Sequence, residues 1–393
     1  MPEDDSRDAI SFVEKLLVLL DEGMFTATYK YAVLLALIDL CMERSDPDGG
    51  PPSRIPTGAF AEKVVELYWP HSNLFRGTGG AVVLRQNSGG QAEILSTIAR
   101  LRDQVGPSAA MTFGQARIAS PDAVAALIRD VEWKLIEMPL PRLQQFGTGY
   151  DPFLYDIDWT TDTRRSDFVD GVHDFAVHVR PGVGDNLVRL NGLIRPLIQR
   201  HWTDMVARFN RHAIEDTKLE EFLFGVPRRP TGSLVDGLRH LQANRCFYCE
   251  RTLQRAAEID HFIPWARHPD DAIHNLVLAH RACNNAKRDF LAADPHVAHW
   301  STRFDEAIDR QLQQLAAEQR WTSHRDTSHN VARAIYLRLP DDAKLWVHNG
   351  EFVPFRRPAI EASLAAAASP LLDMAAERSL PFDARGSGGT GRE

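Results

Sequence analysis

The chain has 393 residues, of which 44% are hydrophobic and 25% charged, a balance typical of folded globular proteins and unlike disordered, collagen-like or membrane-bundle chains. Length alone allows two or three domains, at about 100 to 200 residues each. The formal net charge of −8 gives no global positive field, so any contact with nucleic acid must be local.

The amino terminus, Met1 to Asp8, is acidic, and the apolar run behind it is cut by Glu14, Lys15 and Asp21, unlike a secretion signal. Apolar residues then recur at helical spacing from Ser11 to Leu20 and from Tyr29 to Met42, and the second stretch, interrupted by Asp39, is far short of the ~20 residues of a membrane span. The segment Ser45 to Pro56 concentrates Asp, Gly and Pro and reads as a loop. Helical periodicity resumes over Phe60 to Tyr68, Gln91 to Val105 and Asp122 to Glu137, the last entered through Ser120 as N-cap and Pro121 at the first helical position.

Between Pro139 and Val183 the pattern shifts to aromatic and β-branched residues, and Phe153 to Trp159 and Asp174 to Val179 alternate like short strands. Asp156 and Asp158 share a face there and read as solvated carboxylates rather than a cation site. Leu187 to Arg211 is one long amphipathic helix or two. The glycine clusters at 77–80 and 88–90 lack the context of a phosphate-binding loop and read as turns. Phe304 to Glu318 and His329 to Leu337 read as helices, and the polar, glycine-rich end from Arg385 as a flexible tail.

The four cysteines, Cys41, Cys246, Cys249 and Cys283, are too few for a disulfide framework and suit a reducing, cytoplasmic setting. Cys41 lies in an apolar helix and reads as a buried thiol. The other three cluster. Cys246 and Cys249 form a Cys-x2-Cys knuckle, and His280-x2-Cys283 supplies a second half-site, together four soft or borderline ligands with no vacant position. That donor set points to a structural Zn²⁺, because a catalytic zinc keeps one position for water.

Between the knuckles lies Glu258-Ile259-Asp260-His261-Phe262-Ile263-Pro264, an alternating stretch that suits a short strand ending at the proline. Asn275-Leu276-Val277 reads as a returning strand and Arg281 to Leu291 as a helix. His296, His299 and Trp300 are expected to pack behind that helix.

The segment Leu238 to Leu291, with its Cys-x2-Cys, Asp-His-x2-Pro, Asn-Leu and x2-Cys-Asn-x2-Lys motifs, resembles the HNH nucleases and their ββα-metal fold. In the zinc-bearing branch the second knuckle is often Cys-x2-Cys, and here His280 takes its first place. The resemblance implies that His261 is the general base, Asp260 and Asn284 ligands of a catalytic Mg²⁺ or Mn²⁺, and Asn275 a loop anchor. Asn284 stands where the family name has its final histidine. Lys287 and Arg281 are then phosphate contacts.

Hydrolysis of a phosphodiester needs a deprotonated water and relief of charge on phosphorus, which one base and one hard cation can provide. An imidazole titrates close to physiological pH and suits the first task. In the window 226–290, ten Lys and Arg stand against seven Asp and Glu, a net of +3 that leaves −11 for the rest. This local excess fits docking on phosphates.

The chain is therefore expected to be α+β and mainly helical. Residues 1–225 form a largely helical domain for targeting or partner binding, 226–300 the nuclease module, 301–384 a helical segment and 385–393 the tail. The expected activity is a metal-dependent endonuclease or nickase acting on double-stranded DNA, in restriction or anti-phage defence. The alternatives are a noncatalytic zinc module that binds nucleic acid or a protein, and an RNA-cleaving enzyme.

Overall fold

Helix Tyr29–Glu43 is apolar on every side, with Lys30 through Met42 all buried, which is the pattern of a helix enclosed by its neighbours rather than lying on a surface. In the computed structural model it sits against helices Thr57–Tyr68, Val183–Arg189, Asn191–Phe209 and Arg325–Tyr336, so residues from both ends of the sequence share one core. The structure describes residues 2–22, 26–77, 80–105, 111–146, 149–171, 174–211, 218–225, 232–254 and 256–365. The expected tail, residues 366–384 of the C-terminal segment, and Arg228, Arg229 and Arg255 of the basic window lie outside them.

The fold is a helix-rich α+β arrangement. Helices Pro2–Glu22, Thr57–Tyr68, Glu93–Val105 and Pro121–Glu137 occur where periodicity places them. The amphipathic stretch from Leu187 is divided into Val183–Arg189 and Asn191–Phe209. Pro121 occupies the first turn of its helix, but the Ser120 side chain makes no capping bond.

Two readings of the first half change. The Asp/Gly/Pro-rich loop ends in a strand, Arg54–Pro56, which pairs antiparallel with Ala176–Val179, and Tyr155–Asp156 completes that sheet. Gly49, at φ +74°, lies so near the Arg333 carbonyl that a Cβ there would sit 2.9 Å from its oxygen, which seats the loop on helix Arg325–Tyr336. A short helix, Phe113–Ala119, closed by a Thr112–Gln115 capping box, was also not expected. Asp156 pairs with Arg180 through two bonds of 2.8 and 2.9 Å.

The C-terminal part holds helices Glu306–Glu318, Arg325–Tyr336 and Arg357–Ala365, together with an antiparallel hairpin, Lys344–His348 and Glu351–Pro354. The backbone N–H of Trp346 bonds the Leu291 carbonyl, and the hairpin packs against helix Arg281–Lys287, just past the second knuckle. Among the described residues no helix is long and apolar enough to cross a membrane.

Candidate active site

Strands Ala257–His261 and Leu276–His280 pair antiparallel, with Ile259 opposite Leu278 and His261 opposite Leu276, and helix Arg281–Lys287 follows at once. Gln242, just past helix Gly232–Leu241, grips the second strand: its side chain donates to the Leu278 carbonyl at 2.8 Å and accepts from the Leu278 amide at 2.8 Å. Phe262 stacks on Trp300 and Phe247 on His299, and the His296 ring bonds the Val347 carbonyl at 2.7 Å, so these aromatic groups form the floor.

The knuckle residues converge. One ligand atom from each of Cys246, Cys249, His280 and Cys283 lies within 4.8 Å of the others. A tetrahedral zinc with bonds of about 2.3 Å to sulfur separates its ligands by about 3.8 Å, so the set fits with little movement. The histidine is also oriented for it: Nδ1 lies 3.3 Å from Cys249 Sγ, while Nε2 is 3.1 Å from the Thr252 carbonyl, to which it donates. A histidine that ligates through one nitrogen usually gives its other N–H to such an acceptor.

Thiol titration agrees with that role. Burial raises the Cys249 thiol, but the Arg251 backbone amide and His280 outweigh it and lower the pKa. Burial and the adjacent Cys246 sulfur push Cys283 up to about 12. Crowded sulfurs resist being charged together, and a divalent cation removes that conflict.

Alternation along the first strand puts Glu258 and Asp260 on one face and His261 on the other. The helix covers the acidic face: Asn284 Nδ2 donates to Glu258 Oε2 at 3.1 Å, and Lys287 Nζ lies 3.1 Å from Asp260 Oδ2. Tyr248 donates its hydroxyl proton to the same Asp260 oxygen. Among the described residues Asp260 Oδ1 and Asn284 Oδ1 receive no hydrogen bond, which leaves two hard oxygens as donors for a cation. Arg281 is exposed and reaches Glu258 Oε1 at 3.4 Å.

Lys287 stands differently from a surface phosphate contact. It is fully buried, its ammonium shared between Asp260 and the His261 carbonyl, which it meets at 2.9 Å. Burial lowers its pKa while the Asp260 carboxylate opposes the shift. The residue belongs to the support behind Asp260.

On the other face, His261 Nε2 lies 3.2 Å from Asp271 Oδ1 and its ring meets Trp265 edge-on. Donation from Nε2–H to that carboxylate selects the tautomer whose Nδ1 carries the free lone pair. The intervening loop, residues 262–275, is tied by Asn275, whose side chain accepts from the Ile263 amide at 2.8 Å and donates to the Ile263 and Asp270 carbonyls. Trp321 donates to the Asp271 carbonyl at 2.7 Å, and Ser328 to Asp270 at 2.6 Å.

In the structure Asp260, His261 and Asn284 each have their own partners: Tyr248 and Lys287, Asp271, and Glu258. The sequence assigned no site role to Tyr248, Glu258 or Asp271. Alternation pairs Glu258 with Asp260 and was a usable signal; nothing local connects Asp271 to His261 or Tyr248 to Asp260.

Residues 246–293 match the family model described as HNH endonuclease, which gives this part of the chain its class, a nuclease-type domain. Residues 12–223, more than half of the chain, match the model described as Domain of unknown function (DUF8808), and the chain belongs to that family. No curated protein and no solved structure gives a significant match.

Proposed function

We propose that the protein is a metal-dependent DNA endonuclease or nickase whose catalytic centre is Asp260, His261 and Asn284, acting in restriction or anti-phage defence. The observation that supports this reading is that the strand bearing Asp260 and His261 packs against the helix bearing Asn284, beside the converging Cys246, Cys249, His280 and Cys283. His261 Nδ1, left free by the Asp271 contact, takes the proton from the attacking water. The new bond forms at phosphorus as the P–O bond to the leaving 3′ oxygen breaks. Asp260 and Asn284 hold a Mg²⁺ or Mn²⁺ ion, which supplies electrostatic stabilisation where negative charge builds up.

Cys246, Cys249, His280 and Cys283 hold zinc that maintains the frame, and Asn275 keeps the loop closed. Exposed Arg281 is placed to meet a phosphate. Residues 1–225 aim the nuclease, through DNA or a protein partner.

The test is plasmid nicking with Mg²⁺, Mn²⁺ or chelator, comparing wild type with His261→Ala. Loss of general-base catalysis lowers the rate by roughly 10² to 10⁴-fold. Undiminished cutting by the variant, or cutting indifferent to chelator, overturns the assignment. RNA cleaved in preference to DNA overturns the substrate.

A further inference from the structure

Tyr248 lies inside the first knuckle, between Cys246 and Cys249, yet its hydroxyl leaves the sulfur site and binds Asp260 Oδ2 at 2.5 Å. The ring is fixed on three sides, edge-on to Phe247, His296 and Trp346 at 5.2, 5.3 and 5.2 Å between centroids. Lys287 Nζ approaches the same Asp260 oxygen at 3.1 Å and sits 5.9 Å from the Tyr248 ring centre. Both donors therefore use one oxygen of the carboxylate, and among the described residues the other has no hydrogen bond. A carboxylate held this way offers a cation one oxygen in one orientation.

We propose that Tyr248 is a positioning residue that couples the knuckle to the nuclease centre: it fixes the Asp260 carboxylate so that Oδ1 alone is presented to the divalent ion. The proposal rests on the nuclease reading above. Two donors on Oδ2 exclude a bidentate grip and remove the rotation by which Asp260 could exchange its oxygens. Hydrogen bonds to a ligating carboxylate commonly govern metal affinity, and their loss typically costs 10 to 100-fold. The knuckle sets where the phenol stands, so the structural and catalytic metal sites share one mechanical link.

The experiment measures Mn²⁺ binding to the full-length, zinc-loaded protein without nucleic acid, from the electron paramagnetic resonance signal of free Mn²⁺. Wild type, Tyr248→Phe and Asp260→Asn are compared, with zinc content and melting temperature recorded for each. The phenylalanine keeps the packed ring and removes one oxygen. Expected is Mn²⁺ binding that Asp260→Asn abolishes and Tyr248→Phe weakens about tenfold or more, with zinc and melting temperature held. Equal affinity in Tyr248→Phe overturns the proposal while leaving the nuclease centre standing. Loss of zinc from Tyr248→Phe also overturns it, because the effect then passes through the knuckle fold. Binding indifferent to Asp260→Asn overturns the nuclease centre, and the proposal falls with it.

Discussion

The loop and strands that carry His261 are held from two sides by unlike chemistry. On one side three thiols and an imidazole converge within 4.8 Å, a set of soft donors complete only with a cation. On the other, His268 is buried between two carboxylates of the central helix, its Nδ1 3.2 Å from Asp39 and its Nε2 3.2 Å from Glu43. Arg195 also binds Asp39, and Lys63 binds Glu43 at 2.6 Å. The first clamp is a short sequence motif. The second draws on helices Tyr29–Glu43, Thr57–Tyr68 and Asn191–Phe209, and with the bonds from Asn191 to the Arg267 carbonyl and from Trp265 to the Phe224 carbonyl it joins the front region to the loop between the two strands. Stability that comes from an ion can be removed with a chelator, whereas stability that comes from paired charges responds to pH.

The largest effect should follow removal of the sulfur clamp. Structural zinc contributes apparent binding energies of about 10 to 16 kcal/mol in small zinc modules, and that energy is folding energy. Cys249→Ala is expected to lose zinc and to expose the segment around residues 246–293 to proteolysis while the front helices persist. Metal analysis with limited proteolysis checks this. Zinc absent from the wild type together with unchanged melting of the variant breaks the comparison at its first term.

Next comes the ionic clamp. Asp39→Asn leaves Arg195 and His268 buried with one carboxylate fewer, and breaking such a pair from one side costs about 3 to 5 kcal/mol. Urea unfolding should show that loss with zinc content unchanged. A cost below 1 kcal/mol would mean that apolar packing, not charge, joins the two regions.

The same clamp should titrate. Burial alone would lower the His268 pKa, but the Asp39 and Glu43 carboxylates reverse this and raise it to about 9. A histidine raised in the folded state contributes stability that is complete below the ordinary value near 6.5 and is lost as pH climbs through about 9. The upper bound is about 3 kcal/mol from the size of the shift. Burial opposes the charge on Lys63, Asp39 and Glu43, but their mutual pairing raises the Lys63 pKa and lowers those of the two carboxylates, so none of the three titrates in that range. Melting temperature should fall between pH 6.5 and 9 in the wild type and less in Asp39→Asn. Parallel curves would remove His268 from the account.

What the sequence made legible follows the same division. The zinc ligands are read from spacing because the motif is local, and Asp260, His261, Asn275 and Asn284 come from the resemblance that the same short segment carries. The ionic clamp was not legible. Asp39 reads as an interruption in an apolar helix, and its partners stand 156 and 229 positions away. Strand Arg54–Pro56 was hidden because its pairing partner, Ala176–Val179, lies far along the chain, and a three-residue strand ending in proline has no periodicity of its own. Nothing in the sequence gave Tyr248 a role. Its partner was visible in the sequence, but the direction of its side chain was not.

Asp271 stands on the loop between the two clamps, and it carries the smallest predicted effect. It lies three residues beyond His268, its carbonyl is held by Trp321, and its carboxylate meets His261 Nε2 at 3.2 Å. The ionic clamp fixes the backbone of that loop, while the strand that bears His261 is fixed from the sulfur side. Asp271→Asn keeps the shape but replaces a charged acceptor with a neutral amide that can also turn its donor toward the ring. A hydrogen bond with one charged partner, partly exposed, is worth about 1.5 kcal/mol, or roughly tenfold in rate. Cleavage should fall by about that factor with melting and zinc content unchanged, since the fold does not depend on this contact. A fall as large as that of His261→Ala would make Asp271 part of the catalytic centre itself, and no fall at all would mean that the strand alone orients the imidazole.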